Sequence, residues 1–519
     1  MRERRIYLFP ALLPGLIAAQ AVATIQVYLS NLELHRTLET IQGFGYLPVP
    51  NELVMPHLKG AAPAFWGGLF FTLSLGAGLS LLSLAAACLW RRFSRQHRVV
   101  NAVYSILWLV LLIGVNRRGL DVAVSCYFLF IPPLVFAAAL VILPPPAQRS
   151  AGRGRWIPAA SAVLLAVLWI PQMNRDFFGN VRDRLLFSNP IGRQLNQFYY
   201  DHTLQAAEVL KSLDQKTIKT CSLEQVDKAP VARALERALA AQDYLNIGGD
   251  GRPDLQVTEA ASRFVLAHRA TAVMEATLTE LLSRTGPVVK EFSYKTDRRM
   301  FFRKAVYVSV LIGFPVLLYL FMFDLFHFGL GFFLAEKKAL PAAAVICFCL
   351  GAGLLVLFII RGGDAAGKMP AAQALQSEKL YDRVAALKTI EQKGLEIAGF
   401  AGYERLLSSP HAIERYWLVR TLGVSRQERT YPDLLRFLGD PQLNVAAMAC
   451  YALGRRGDPR AIPVILERIR NSSRWYEQWY GYRALKALGW AQSRTGQRQG
   501  SNETPPESNT LLMAKSRKR

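Results

Sequence analysis

Apolar side chains occur in long runs that alternate with short polar or basic segments along two stretches of the chain. Most of these runs are long enough to cross a hydrocarbon core of about 30 Å as a helix, and they hold few or no charges. The run at 156–171 is near the lower length limit. This pattern predicts a mainly α, polytopic membrane protein with about seven spans. The runs are residues 6–29, 63–90, 99–115, 121–144, 156–171, 304–323 and 340–360.

Changes in composition divide the chain into six predicted regions. Between the first two runs, residues 30–62 are rich in proline and are expected to form a loop. Residues 324–335 are rich in Phe and Gly, and either extend the sixth span or lie in the membrane interface. The regions are a membrane region of about five spans (1–173), a soluble α+β domain (174–300), two further spans (301–360), a linker (361–373), a helical repeat domain (374–490) and a disordered basic tail (491–519).

The segment 174–300 combines helical periodicity with two short alternating runs. Its order of helix, helix and hairpin is similar to a winged-helix module. The helix that would read DNA, Pro230–Tyr244, carries Arg233 and Arg237 against Glu236 and Asp243. It lacks the positive charge that DNA recognition requires, so we expect a structural or protein-contacting module. The predicted elements are helices in 192–219, 230–244 and 271–283, and strands at 254–258 and 263–268.

Three segments near the carboxyl end can be laid over one another. They read PHAIERYWLVRTLG (Pro410–Gly423), PQLNVAAMACYALG (Pro441–Gly454) and RWYEQWYGYRALKALG (Arg474–Gly489), and each ends in Leu-Gly. The spacing of roughly 31 and then 35 residues is typical of solenoid repeats, and a second amphipathic run follows each of the first two. The unit is therefore helix, Gly-containing turn, helix.

This pattern resembles the HEAT family of helical repeats, in the short form known from phycobilisome-lyase-like proteins. The resemblance implies an α-solenoid with an extended surface for a protein partner, and it implies no catalytic residue. Residues 374–402 are expected to form a degenerate first repeat that caps the array.

The last repeat is unusually rich in aromatic residues flanked by arginine. These residue types dominate the energetics of protein interfaces, so they are candidates for binding a partner. The alternative is that some of them pack against the preceding repeat and close the solenoid. The candidates are Arg474, Trp475, Tyr476, Trp479, Tyr480 and Arg483.

Ionisable residues inside or beside the apolar runs are the other candidates for function. Asp324 and His327 lie three residues apart, on one helical face near the end of the sixth run. They form either a proton or ion relay or an interfacial pair that faces lipid headgroups. Glu33 follows the first run, where polytopic glycosyltransferases that use lipid-linked sugars place acidic catalytic residues. That analogy concerns position alone.

The net charge of +24 indicates contact with anionic membrane lipid rather than with nucleic acid. The seven histidines and six cysteines form no metal-binding spacing, and no phosphate-binding loop is present, so we expect no cofactor and no metal. Nothing in the sequence requires an enzyme.

Two features of the charge pattern disagree about sidedness. Basic segments at 1–5, 91–98 and 147–155 fit a cytoplasmic amino terminus, and seven spans then place both soluble domains outside the cytoplasm. The cluster before the sixth run (Lys295, Arg298, Arg299, Arg303 and Lys304) and the positive repeat domain are more typical of the cytoplasmic side. Since large domains translocate largely regardless of charge, the odd number of spans favours an extracytoplasmic location.

These observations predict a multi-pass protein of the bacterial inner membrane. The favoured function is a scaffold or assembly factor that recruits a protein partner through its repeats. One alternative is a transporter or lipid-handling protein in which the repeats are regulatory. The other is an enzyme similar to the lipid-linked glycosyltransferases.

Overall fold

The computed structural model describes residues 7–93, 98–143, 156–174, 176–248, 251–361 and 369–494. Five helical stretches are long and apolar enough to cross a membrane. They are Phe9–Gly43, Ala61–Arg91, Val122–Ile142, Met300–Leu330 and Glu336–Ile360. The bent pair Ile157–Gln172 and Phe177–Leu186 would be a sixth, and the apolar helix Ala102–Asn116 is shorter. Most of the predicted linker (362–368) and most of the predicted tail (495–519) lie outside the described residues, whereas residues 491–494 of the predicted disordered tail are described and make ordered contacts.

Helices account for most of the chain before the inserted domain. Two of them are joined by a π-helical turn, Thr72–Gly76, so that Ala61–Arg91 is continuous. These helices are α1 (Phe9–Gly43), α2 (Ala61–Phe71), α3 (Ala77–Phe93), α4 (Arg98–Asn116), α5 (Val122–Ile142), α6 (Ile157–Trp169), α7 (Phe177–Val181) and α8 (Pro190–Leu210).

The expected loop at 30–62 is wrong over its first half, because α1 continues to Gly43. At 1.5 Å per residue its 35 residues measure roughly 50 Å, well beyond the thickness of a hydrocarbon core. The polar end of α1 is held by tertiary contacts that periodicity does not reveal. One of its buried residues is His35, whose Nδ1 lies 3.1 Å from Glu39.

The helices of the bundle cross closely where glycines remove side-chain bulk. A Cβ added to Gly313 would lie 3.0 Å from the backbone of Gly78, and one added to Gly15 would lie 2.2 Å from the Val135 side chain. Gly313 ends a second π-helical turn, Ser309–Gly313, which lies between α12 (Met300–Val308) and α13 (Phe314–Leu330). After a short turn, α14 (Glu336–Ile360) follows α13. Residues 324–330 thus belong to α13 and extend the sixth predicted span.

The inserted domain is a five-stranded mixed sheet with helices, which corrects the winged-helix expectation. Strand order is β2-β1-β3-β4-β5; β1 is parallel to both β2 and β3, and β3, β4 and β5 are antiparallel. The hairpin β3–β4 was expected, whereas β5 occupies residues expected to be helical. The elements are β1 (Lys219–Gln225), α9 (Ala229–Ala240), β2 (Tyr244–Asn246), β3 (Leu255–Ala260), β4 (Arg263–His268), β5 (Thr271–Ala276), α10 (Leu278–Ser283) and α11 (Thr285–Thr296).

The carboxyl-terminal part is an alternation of inner and outer helices, as the repeat pattern predicted. The inner helices α16, α18, α20 and α22 stack consecutively, and the outer helices α17, α19 and α21 lie between them in sequence. The helices are α15 (Ala371–Ala374), α16 (Leu380–Lys393), α17 (Tyr403–Leu407), α18 (Ala412–Leu422), α19 (Thr430–Arg436), α20 (Leu443–Arg456), α21 (Ala461–Asn471) and α22 (Trp475–Ala487).

Candidate interaction site of the helical repeats

The repeated Leu-Gly pairs allow consecutive inner helices to approach closely. A Cβ added to Gly423 would lie 2.9 Å from Cα of Ala452, and one added to Gly454 would lie 2.7 Å from Cα of Ala484. Gly454 is helical, and the turn comes later, at Gly457 with φ of 76°. The turn after α20 thus contains a glycine, as the repeat pattern predicted, but it is Gly457, whereas Gly454 lies inside the helix and serves helix packing.

The inner helices of the array hold the segment that links α6 to α8. The buried Asp183 carboxylate accepts a hydrogen bond from Trp417 Nε1 at 2.9 Å and lies 3.2 Å from Lys388 Nζ. Its neighbour Arg182 donates to the Tyr416 hydroxyl at 2.9 Å, and its guanidinium lies over the Tyr416 ring. A surface that solenoids often offer to partners is thus occupied here by the chain itself.

The contact with the array continues along α8. Asn196 Nδ2 donates to Oδ1 of Asn444 at 2.6 Å, and both side chains are buried. At the far end of the array, Trp475 Nε1 donates to the carbonyl oxygen of Tyr200 at 2.7 Å. The Tyr476 ring lies 4.4 Å from that of Tyr200. The array therefore contacts α8 through two of its inner helices.

These contacts locate the predicted aromatic patch. Trp475, Tyr476, Trp479 and Tyr480 are half-buried, and burial followed by the nearby Tyr480 hydroxyl raises the pKa of Tyr476. Arg474 lies 3.4 Å from buried Glu477, and exposed Arg483 lies over the Trp479 ring. Much of the patch thus packs against the chain's own α8, while its role toward a separate partner stays a prediction.

The segment between α1 and α2, residues 44–60 and here called the strap, closes over the last repeat. Buried Asn51 donates through Nδ2 to the carbonyl oxygens of Ile469 at 2.8 Å and Ser472 at 3.1 Å. Its backbone N–H donates to Gln478 Oε1 at 2.9 Å. These bonds satisfy carbonyl groups at the end of α21 that its own helix leaves unpaired. One asparagine therefore fixes the strap to the array.

Helix α22 and the residues after it contact both the strap and the inserted domain. Gln492 forms paired bonds with the backbone of Leu47, accepting its N–H at 2.8 Å and donating to its carbonyl at 3.1 Å. The hydroxyl of Tyr482 donates to Asp243 at 2.8 Å. Burial, and then the Asp243 charge, raises the pKa of Tyr482 well above its usual value, so the hydroxyl stays protonated and remains a donor.

The outer helices α17, α19 and α21 leave a surface, here called the outer face, that is exposed in the described structure. It carries both signs of charge and two prolines rather than an apolar patch. A partner would therefore meet it mainly through charged and polar groups. Its exposed residues are Glu404, Arg405, Pro432, Arg436, Pro463, Glu467 and Arg470.

Asp324 and His327 are both buried at the end of the bundle that holds the amino terminus. Asp324 Oδ2 accepts the Phe9 backbone N–H at 2.7 Å, at the first turn of α1. A carboxylate there satisfies an unpaired N–H and interacts favourably with the helix dipole. His327 Nε2 lies 3.2 Å from Glu336 Oε1 at the start of α14. This geometry favours a structural role at helix ends over a relay across the bundle.

Glu33 lies on α1 at the edge of a cleft of about 330 Å³ between the bundle and the inserted domain. Its carboxylate is exposed and lies 2.8 Å from Arg269. Deeper in the cleft, Lys216 and Asp254 form an ion pair at 2.9 Å. Burial acts to raise the pKa of Asp254, but the Lys216 ammonium and the Thr220 N–H outweigh it, so the pKa lies below its usual value.

Comparison with known proteins identifies the helical repeats but no other part of the chain. The sequence model of HEAT repeats matches residues 403–492, so the carboxyl-terminal region consists of HEAT repeats. No curated protein and no solved structure matches the chain. Sequence reasoning missed Asn51, Asp183 and Gln492, because their importance depends on contacts between segments far apart in the chain. The prolines Pro48 and Pro50 were the one local sequence signal that the strap has a fixed conformation.

Proposed function

We propose that this protein is a membrane-anchored scaffold, or assembly factor, that recruits a protein partner through its HEAT repeats. The observation that carries the proposal is the asymmetric use of the array. Its inner helices contact Asp183 and Asn196, and the strap residue Asn51 binds the end of the outer helix α21, whereas the side chains of the outer face are exposed. A solenoid fixed on one side presents its other surface at a defined position, which is what a scaffold requires.

Contacts between loops support seven crossings. The strap, the inserted domain and the array touch one another, so they lie on one side of the bundle. Arg118 donates to the Tyr294 carbonyl at 3.0 Å, and Asp121 pairs with Arg299 at 2.9 Å, which brings the α4–α5 turn to that side as well. The bond from Phe9 to Asp324 brings the amino terminus and the α13–α14 turn to the other side. This arrangement supports crossings by α4 and α6 in addition to the five long stretches.

The charge distribution supports a cytoplasmic amino terminus. The segments on the side of the amino terminus carry most of the loop cations, with only Glu3 and Glu336 opposing them. The conflicting cluster before α12 is partly neutralised, since Arg299 pairs with Asp121 and Arg303 with Asp297. The cations on the amino-terminal side are Arg2, Arg4, Arg5, Arg91, Arg92, Arg95, Arg98, Arg149, Arg153, Arg155, Lys337 and Lys338.

The alternative functions draw less support from the geometry. A transporter would use Asp324 as a mobile charge, yet its carboxylate binds the first turn of α1. An enzyme would use Glu33, whose carboxylate is exposed and paired with Arg269. Asp324→Asn and Glu33→Gln remain the substitutions that test these two ideas through flux or product formation.

The proposal is tested by reversing charge on the outer face. We expect the double substitution Arg436→Glu and Arg470→Glu to leave the protein folded in the membrane but to remove proteins that cross-link to the array in native membranes. Both side chains are exposed, so the fold should tolerate the change. The measurement is cross-linking in membranes, followed by purification of the full chain and mass spectrometry.

A matched control is available on the inserted domain. Arg233 and Arg237 are exposed on α9, on the same side of the bundle, and their reversal to Glu changes the net charge equally. Proteins lost with the outer-face variant but kept with the α9 variant support recruitment by the repeats. If both variants retain the same cross-linked proteins, the outer face is not the recruiting surface and the proposal fails.

A further inference from the structure

The exposed face of α8 is apolar, although the helix lies outside the candidate spans. Four large side chains point away from the array within three turns, where a water-exposed helix would carry polar groups. Their exposed fractions are 71% for Ile191, 58% for Leu195, 39% for Phe198 and 52% for Tyr199. The spacing of three and four residues places them along one stripe, here called the α8 stripe.

Exposed polar residues border the α8 stripe on one flank of the helix. Gln194 and Asp201 are exposed beside the stripe, and Asp201 accepts a hydrogen bond from Gln197 at 2.8 Å. The face opposite the stripe is buried and holds Asn196, which bonds Asn444 of the array. The helix therefore has an apolar exposed sector, a polar exposed flank and a protein-packed face. This three-way division is typical of a helix at a lipid–water interface that also carries protein.

The α8 stripe is continuous with the apolar surface of a candidate span. The Trp66 ring, in the second turn of α2, lies 5.4 Å from the Phe198 ring and 6.1 Å from the His202 ring. Trp66 and its neighbour Phe65 are themselves exposed. Tryptophan and other aromatic side chains are enriched where spans leave the hydrocarbon core. The stripe thus lies at the level of the span's end.

The path of the chain before α8 points the same way. Helix Phe177–Leu186 is bent by 104° from helix Ile157–Gln172. If the earlier helix crosses the membrane, the later one runs close to the membrane plane. Phe178 on that later helix is also exposed, at 54%. The chain therefore leaves α6 along the surface where α8 begins.

We infer that α8 is an interfacial helix whose stripe inserts into membrane lipid on the side of the soluble domains. The occupant is the acyl and headgroup boundary of the bilayer, because the stripe continues the surface of the spans and ends at polar Gln194 and Asp201. This inference rests on the proposed membrane anchoring and deepens it. The same segment holds the array through Asp183 and Asn196, so lipid contact on one face would fix the height of the HEAT repeats above the membrane.

The test is photochemical and keeps all native residues except one. An aliphatic diazirine amino acid replaces Leu195, Tyr199, Asp201 or Leu354 singly, and each full chain is reconstituted into vesicles of phosphatidylethanolamine and phosphatidylglycerol. Leu354, half-exposed on α14, reports the hydrocarbon core, and Asp201 is the matched control on the polar flank. After irradiation, mass spectrometry identifies the molecule joined to each position.

Lipid adducts at Leu195, Tyr199 and Leu354, together with the absence of lipid adducts at Asp201, support the inference. Lipid adducts at Leu354 combined with water or peptide adducts at both stripe positions would overturn the inference alone. Peptide adducts there would identify protein, including a second copy, as the occupant. Absence of lipid adducts at Leu354 would overturn the proposed membrane anchoring, and the interfacial helix with it.

Discussion

At the scale of single residues, Lys216 and Asp254 are the clearest case of a charge that depends on its partner. They form an ion pair in the cleft between the bundle and the inserted domain, and Glu208 and the Thr220 N–H lie beside it. Because burial alone would disfavour both charges, the carboxylate keeps a low pKa through Lys216 and the backbone. Removing one partner leaves the other buried and unpaired, which costs more than the pair itself contributes.

We therefore expect Lys216→Met to destabilise the protein at pH 7 by on the order of 3 kcal/mol. A depressed pKa contributes stability that is present above the unfolded value of about 3.9 and is lost as pH falls through the folded value. Without Lys216 the pKa of Asp254 should rise. The loss in free energy of unfolding of the variant relative to the wild type should therefore shrink as acid protonates this carboxyl. Thermal unfolding of the detergent-purified chain between pH 4 and pH 8 measures this. A deficit that is constant across that range would contradict the coupling, and exposed Lys290→Met supplies the control.

At the scale of elements, the close stacking of inner helices depends on glycine. We expect Gly454→Ala to destabilise the array, because the new Cβ would meet Cα of Ala484 and overpack the contact at a cost of about 1–3 kcal/mol. The gain in helix propensity from Gly to Ala offsets about 1 kcal/mol, so the net loss is up to about 2 kcal/mol. The measurement is the thermal midpoint of the full chain. Gly439→Ala is the control, since a Cβ there meets nothing within 4 Å, and equal midpoints for the two variants would refute the packing argument.

The elements also show what the sequence can and cannot predict. The inner helices were predictable because their signal, an apolar periodicity ending in Leu-Gly, is local and repeated. Strands β1 and β2 were not, since their parallel pairing joins Cys221 to residues over twenty positions away and leaves no alternation to read. The aromatic patch was found from composition, but its packing against Tyr200 depends on a helix 275 residues earlier.

At the scale of the whole molecule, the strap, the inserted domain and the HEAT repeats form one contiguous body on one side of the bundle. Asn51 binds the end of α21, Tyr482 binds Asp243, and Arg494 lies 3.3 Å from Glu236. Deleting the array would therefore expose buried surfaces on the inserted domain and the strap. Substitutions on the outer face separate recruitment from folding more cleanly than a deletion does.

The same architecture predicts where water-soluble reagents reach the chain. We expect Ser262→Cys, in the exposed β3–β4 turn, to react with a membrane-impermeant maleimide in intact spheroplasts, because the proposed seven-span arrangement would put this domain outside the cytoplasm. Lys337→Cys, in the first turn of α14 beside the α13–α14 turn, should react only after lysis. The wild type is the control: Cys88, Cys126, Cys347 and Cys349 lie in candidate spans, and Cys221 and Cys450 are buried. Burial also raises the pKa of the Cys450 thiol to about 12, which suppresses its reaction. The reverse labelling pattern would place the HEAT repeats in the cytoplasm and exclude an extracytoplasmic partner, while labelling of both positions before lysis would refute the assignment of the two turns to opposite sides.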